Sequence, residues 1–259
     1  MLGGIFLSYI ITLTNQKGGV GKTTTSTALI SGLTAQNKKV LGVDLDPQGN
    51  LGFSLGIEIE DCATLYDAFK YQTPLQEIIQ HTPYGDILPS NILLSSAELE
   101  FNRPGREFLL KKMLDTVSDV YDYIIIDTPP ALNILTVNAY VASQGLIIPM
   151  IPDILSLLGV SQLKETIDSV KNFYNPNLNV MGIILTKYNA RLNLAKEVFE
   201  MAETMADLLN TKVFESRIRN GVAIAEAPAH GESIFDYAPK SNPALDYADF
   251  VQEVMRVKP

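Results

Sequence analysis

Cysteine, tryptophan and histidine are nearly absent: the 259 residues include one Cys, no Trp and two His. A lone Cys62 excludes an intrachain disulfide framework and a CxxC metal site, fits a reducing compartment, and is expected to be a buried spectator. Basic charge is also scarce, with 20 Lys and Arg against 29 Asp and Glu, a net of −9. A chain of that balance repels polyanions as a whole, so any contact with nucleic acid has to be local. Long apolar runs are missing too. The nearest approach to a membrane span is broken by Pro149, Pro152 and Asp153, short of the ~18 apolar residues a spanning helix needs. The apolar start over 1–13 lacks the basic region of a secretion signal and runs straight into a glycine-rich motif that needs a strand before it. Residues 1–8 therefore read as a ragged N-terminus, and the protein as soluble and cytoplasmic.

What is present is an apolar share of 46% with 19% charged residues, enough to bury a sizeable core. The length suits one α/β domain over 1–259. Short β-rich runs at 9–14, 39–44, 85–88, 123–127, 145–150, 180–186 and 212–215 alternate with segments of helical period. Those helices are expected at 23–36, 106–118, 132–143, 161–173, 193–209 and 243–255. The alternation predicts a single-domain, doubly wound, mostly parallel sheet with helices on both faces. Residues 49–102 are the least regular, with helix-like pieces at 63–69 and 75–80.

The strongest chemical signal is Lys17-Gly18-Gly19-Val20-Gly21-Lys22-Thr23-Thr24, between an expected strand and an expected helix. Glycines let backbone N–H groups turn inward around phosphate oxygens, the helix presents its positive N-terminus, and Lys22 adds a charge for the β and γ phosphates. Thr23 supplies a hydroxyl for Mg²⁺. The usual GxxxxGK[ST] pattern asks for glycine at position 16, where this chain has Gln16 followed by Lys17, so the loop is of the deviant kind. Asp44 and Asp46 close the second strand at the carboxyl edge, where open α/β sheets place ligands. Asp127 follows three isoleucines and reads as a Walker B carboxylate delivered to the phosphate loop by a buried strand.

KGGVGKTT, followed by VDLDPQGN over 43–50, IIIDTPP over 124–130 and Glu226-Ala227-Pro228 with Gly231, resembles the ParA/Soj family of partition ATPases across the whole chain. That resemblance implies Mg²⁺ and ATP as cofactors, an ATP-dependent homodimer, weak basal ATP hydrolysis and a ParB-like stimulating partner. It implies that Asp46 orients the attacking water, that Asp44 helps hold the magnesium hydration shell, and that Lys17 reaches across the dimer to the partner subunit's phosphates. Adenine contacts are expected from 187–189 and 216–220. There the chain has Arg217-Ile218-Arg219-Asn220 where many members have Ile-Pro-Arg-Asn, so Asn220 either bonds the base or only forms the turn before Gly221. Family members also bind duplex DNA without sequence preference, which would associate the protein with the nucleoid. Arg219 matches a DNA-contact position best, with Arg217, Lys187, Arg191 and Lys240 as further candidates, although 180–259 holds nine Lys and Arg against eleven acids.

Three relatives share this fold. A MinD-like membrane-cycling ATPase needs a basic amphipathic C-terminal helix, whereas 246–259 sets Arg256 and Lys258 against three acids and looks like core packing; no membrane partner is expected. An iron–sulfur reductase is excluded by cysteine number, and a bacterial tyrosine kinase would carry a C-terminal tyrosine cluster that Tyr237 and Tyr247 do not form. The alternatives that stay open are a MinD-like membrane-cycling or other cargo-positioning ATPase and a nucleotide-switched scaffold with negligible turnover. With no helix-turn-helix ahead of the phosphate loop, autorepression by operator binding is not expected.

Overall fold

The computed structural model describes residues 7–151, 156–189 and 195–257. Eight strands form one sheet: β1 (Tyr9–Leu13), β2 (Val40–Asp44), β3 (Gln80–Thr82), β4 (Gly85–Leu88), β5 (Tyr123–Asp127), β6 (Gly145–Met150), β7 (Asn179–Tyr188) and β8 (Val213–Arg219). Their order is β3-β4-β2-β5-β1-β6-β7-β8. All neighbours are parallel except the β3/β4 hairpin. This is the doubly wound sheet expected from the alternation of strand and helix signals.

Parallel strands covered on both faces should be apolar at successive positions, and β2, β5 and β6 are buried throughout. Alternation divides β5 between two cores. Ile124 and Ile126 pack with the helices Leu65–Tyr71, Ile134–Ala142, Ser156–Phe173 and Ala195–Leu208. Tyr123 and Ile125 pack with Lys22–Ala35 and Asn242–Val257. Each fully buried isoleucine contributes about 1.5–3 kcal/mol, so the middle of the sheet is a stiff support for whatever lies at its edge.

The structure departs from the sequence expectations in five places. β8 does not stop at 215 but runs to Arg219, and β7 runs to Tyr188. The hairpin strand β3 was not expected, because three polar or half-exposed residues carry no periodic signal. In place of one helix over 106–118 there is a 3₁₀ turn, Arg106–Phe108, followed by the short helix Leu109–Leu114. Asn138 explains that break: its Oδ1 accepts from Leu110 N at 3.0 Å while its Nδ2 donates to Arg106 O at 2.9 Å, capping the segment from another helix. Cys62 is only partly buried.

Candidate functional site

The glycine-rich loop joins β1 to the helix Lys22–Ala35, at the carboxyl edge of the sheet. Gly19 (φ 72) and Gly21 (φ 88) hold left-handed conformations that residues with a Cβ avoid. At Gly18 and Gly19 an added Cβ would meet nothing within 4 Å, so open space lies beside the backbone there. Gly21 caps the helix without any side-chain hydrogen bond, which leaves first-turn N–H groups for an anion.

Lys22 is buried, and its Nζ donates to Lys17 O at 3.3 Å across the loop. Burial pulls its pKa below the ordinary lysine value, while the carboxylates of Asp127 and Asp46 act in the opposite sense. Thr23 Oγ1 donates to Asp127 Oδ2 at 2.6 Å, and Ser26 Oγ, one helical turn on, donates to Asp127 Oδ1 at 2.9 Å. Burial pushes Asp127 up to about 6, against the effect of those two hydroxyls and of Lys22.

β2 and β5 are in register at Asp44 and Asp127, so two fully buried carboxyls end neighbouring strands. Asp44 Oδ1 accepts from Asp46 N at 3.0 Å and its Oδ2 from Leu51 N at 3.0 Å, fixing the turn after β2. Burial, reinforced by the Asp127 charge, raises Asp44 well above the usual carboxylate range despite those two N–H groups. Asp46 itself is half-buried, and its Oδ1 accepts from Gln48 N at 3.1 Å.

The donor set suits a polyphosphate with a hard divalent cation. Among the described residues no group of three or more His, Cys, Asp or Glu could hold a metal by itself. A cation here would draw on the Thr23 hydroxyl, the Asp127 and Asp44 carboxyls through water, and oxygens of the ligand.

The comparisons with known proteins agree with this geometry. An AAA domain family matches residues 8–180. The sporulation initiation inhibitor protein Soj of Bacillus subtilis is 42% identical over 251 residues, covering 95% of this chain and 97% of that protein. The chromosome partitioning protein ParA of Myxococcus xanthus is 39% identical over 251 residues, covering 95% and 88%. The chain belongs to the ParA/Soj family of partition ATPases. Among solved structures, a cobyrinic acid a,c-diamide synthase from Mycobacterium smegmatis with bound ATP analog and magnesium is 32% identical, with a TM-score of 0.84 and coverage of 96% of this chain and 95% of that one.

Within this ParA/Soj fold, several further side chains brace the phosphate loop. Asn15 Oδ1 accepts from Lys17 N at 2.9 Å while its Nδ2 donates to Pro149 O at 2.8 Å. Thr186 Oγ1, at the far end of β7, lies 2.7 Å from Val20 O and 3.2 Å from Met150 O. Thr128 Oγ1 donates to Leu13 O at 2.8 Å. Ser26 is legible in principle, three residues after Thr23 on one helix face; Asn15 follows β1, Thr128 follows β5 and Thr186 lies in β7, so the contacts to Pro149, Leu13 and Val20 join segments distant in sequence. Gly231 also gains a reason: a Cβ there would come within 2.8 Å of Gly56 Cα, so the turn after helix Ala223–Ala229 presses against the segment that follows Asp46.

The remaining candidates lie on β7 and β8 or in the segments that follow them. Asn220 is exposed and its Oδ1 accepts from Gly221 N at 3.1 Å. Lys187 is exposed near the end of β7, beside Tyr188, which pairs with Arg219 of β8. Arg217 is half-buried, its guanidinium 4.4 Å from the Phe199 ring centre and 5.1 Å from that of Tyr188. Its Nη1 donates to Tyr188 Oη at 3.1 Å. Arg219 pairs with Asp246, Nη2 to Oδ1 at 2.6 Å. Lys240 is exposed just ahead of the last helix. Arg191 lies outside the described residues. No helix among the described residues is long and apolar enough to cross a membrane.

Proposed function

We propose that this protein is a Mg²⁺- and ATP-dependent dimerising ATPase that binds duplex DNA without sequence preference and, with a ParB-like partner, positions a plasmid or chromosome. The observation that carries the reading is the convergence of Lys22, Thr23, Asp44 and Asp127 under a glycine loop at the end of the sheet. In this reading Gly18 to Thr24 cradle the phosphates, Lys22 binds the β and γ oxygens, and Thr23, Asp127 and Asp44 hold the cation. Bound magnesium would neutralise charge that builds on the phosphates during transfer. Asp46 sits beside that pair, partly open to solvent, where it can orient a water for attack. Phosphoryl transfer needs a further cation over the γ-phosphate. Lys17, on the loop itself, supplies it to the partner subunit, which makes turnover slow until two subunits close.

Support for a DNA surface comes from the β7/β8 end of the sheet, where Lys187, Arg217 and Arg219 occur together on adjacent strands. A membrane-cycling alternative finds little to stand on: Tyr247, Phe250, Val251 and Val254 of the last helix are packed in the core. The separating experiment is co-sedimentation with ATP or ADP, using random duplex DNA in one arm and anionic vesicles in the other. DNA binding that needs ATP and weakens steeply with salt is expected. Vesicle binding without DNA binding overturns the partition reading.

A further inference from the structure

Arg219 ends the edge strand β8, and a single carboxylate occupies most of its inner side. Its Nη2 lies 2.6 Å from Asp246 Oδ1 and its Nε 2.9 Å from Oδ2, while its backbone N donates to the same Oδ2 at 2.8 Å. The Asp246 side chain is 11% exposed and that of Arg219 46%. An exposed ion pair is ordinarily loose and of little energetic consequence. Here the acid is held by a main-chain bond as well as a bidentate fork, so its geometry is fixed. Along the same helix, Glu253 accepts from Glu215 N at 2.9 Å and from Ser216 N at 3.1 Å. Carboxylates of the last helix thus line the free edge of the strand that carries both candidate arginines.

Phosphate binding scales with the charge a surface actually neutralises. A guanidinium joined to a fixed carboxylate reaches solvent as half of a neutral pair. We infer that Asp246 masks Arg219, and that this contact sets how weakly the protein holds DNA. The inference rests on the DNA-binding reading above and adds a regulator to it: any event that draws Asp246 away from Arg219 unmasks one positive charge per subunit, two in a dimer.

Asp246→Asn is the direct test, because the amide oxygen can still accept from Arg219 N while the charge is gone. Affinity of the ATP form for random duplex DNA near 0.1 M salt should rise roughly tenfold, and the slope of log K against log salt should steepen by about 0.9 for each arginine freed. Asp246→Glu, which keeps the charge, should bind like the parent, and nucleotide affinity should be unchanged in both variants. The gain should vanish when Arg219→Ala is combined with Asp246→Asn. A gain that survives Arg219→Ala would mean a general charge effect and overturn the masking. Parent protein that binds DNA with ATP, beside an Asp246→Asn variant that binds no tighter, overturns the inference alone. Absence of ATP-dependent binding in both overturns the DNA reading together with it, whereas binding by the variant alone would show that masking is complete.

Discussion

Thr23 Oγ1 and Asp127 Oδ2 lie 2.6 Å apart, a bond that ties the first turn of the phosphate-loop helix to the end of the central strand β5. With Ser26 on the other oxygen, each oxygen of the buried carboxyl accepts a hydroxyl hydrogen bond. In the reading proposed above, Thr23 can offer an oxygen lone pair to a cation while its O–H keeps donating to Asp127, so this bond would orient the hydroxyl for the metal.

The electrostatic cost of this arrangement should be visible as a pH effect. Burial raises folded Asp127 to about 6, above its ordinary 3.8, so between those values the folded protein holds a proton the unfolded chain has released. The nucleotide-free protein should therefore gain stability as pH falls from 7 toward 4, and lose it as pH rises through about 6. Asp127 contributes on the order of 3 kcal/mol to that gain, and Asp44, raised in the same direction, adds to it. Chemical denaturation at pH 7 and pH 5 checks this: Asp127→Asn should be more stable than the parent at pH 7 and show a smaller change with pH. Equal pH dependence in the two proteins would refute the buried charge.

Asp46 and Lys17 separate chemistry from assembly. Asp46→Ala should bind ATP, lose turnover by at least a hundredfold, and accumulate as a dimer in light scattering, since the water is no longer oriented but the closed state still forms. Lys17→Ala should bind ATP and remain monomeric. Turnover by Asp46→Ala at the parent rate would remove Asp46 from the reaction.

How much of this could be read in the sequence depended on whether the determining contacts were local. Gly18 to Thr23, Asp44 and Asp127 were legible because a phosphate loop needs contiguous glycines before a helix, and because parallel strands are apolar runs ending at the ligand edge. The Thr186 brace and the bond from Asn15 to Pro149 are not legible, since both join segments more than a hundred residues apart. The end of β8 was misjudged for a similar reason. Its edge N–H groups at Glu215, Ser216 and Arg219 are satisfied by Glu253 and Asp246, acids some thirty residues on that reveal nothing by periodicity. The Arg219–Asp246 pair belongs to the same class: Arg219 could be picked out by its position in a family motif, but its partner could be found only in three dimensions.

The central claim is that the loop 17–24 binds the phosphates of ATP through Lys22, and a fluorescent-nucleotide titration of Lys22→Ala tests it most directly. Lys22 is a buried ammonium inside the loop, and in the proposed reading its loss removes the charge that meets the β and γ oxygens. The variant should keep the parent's fold by circular dichroism and lose ATP affinity by at least a hundredfold, with no measurable hydrolysis. Nucleotide affinity equal to the parent's in a folded Lys22→Ala variant would contradict the assignment of the phosphate loop and everything built on it.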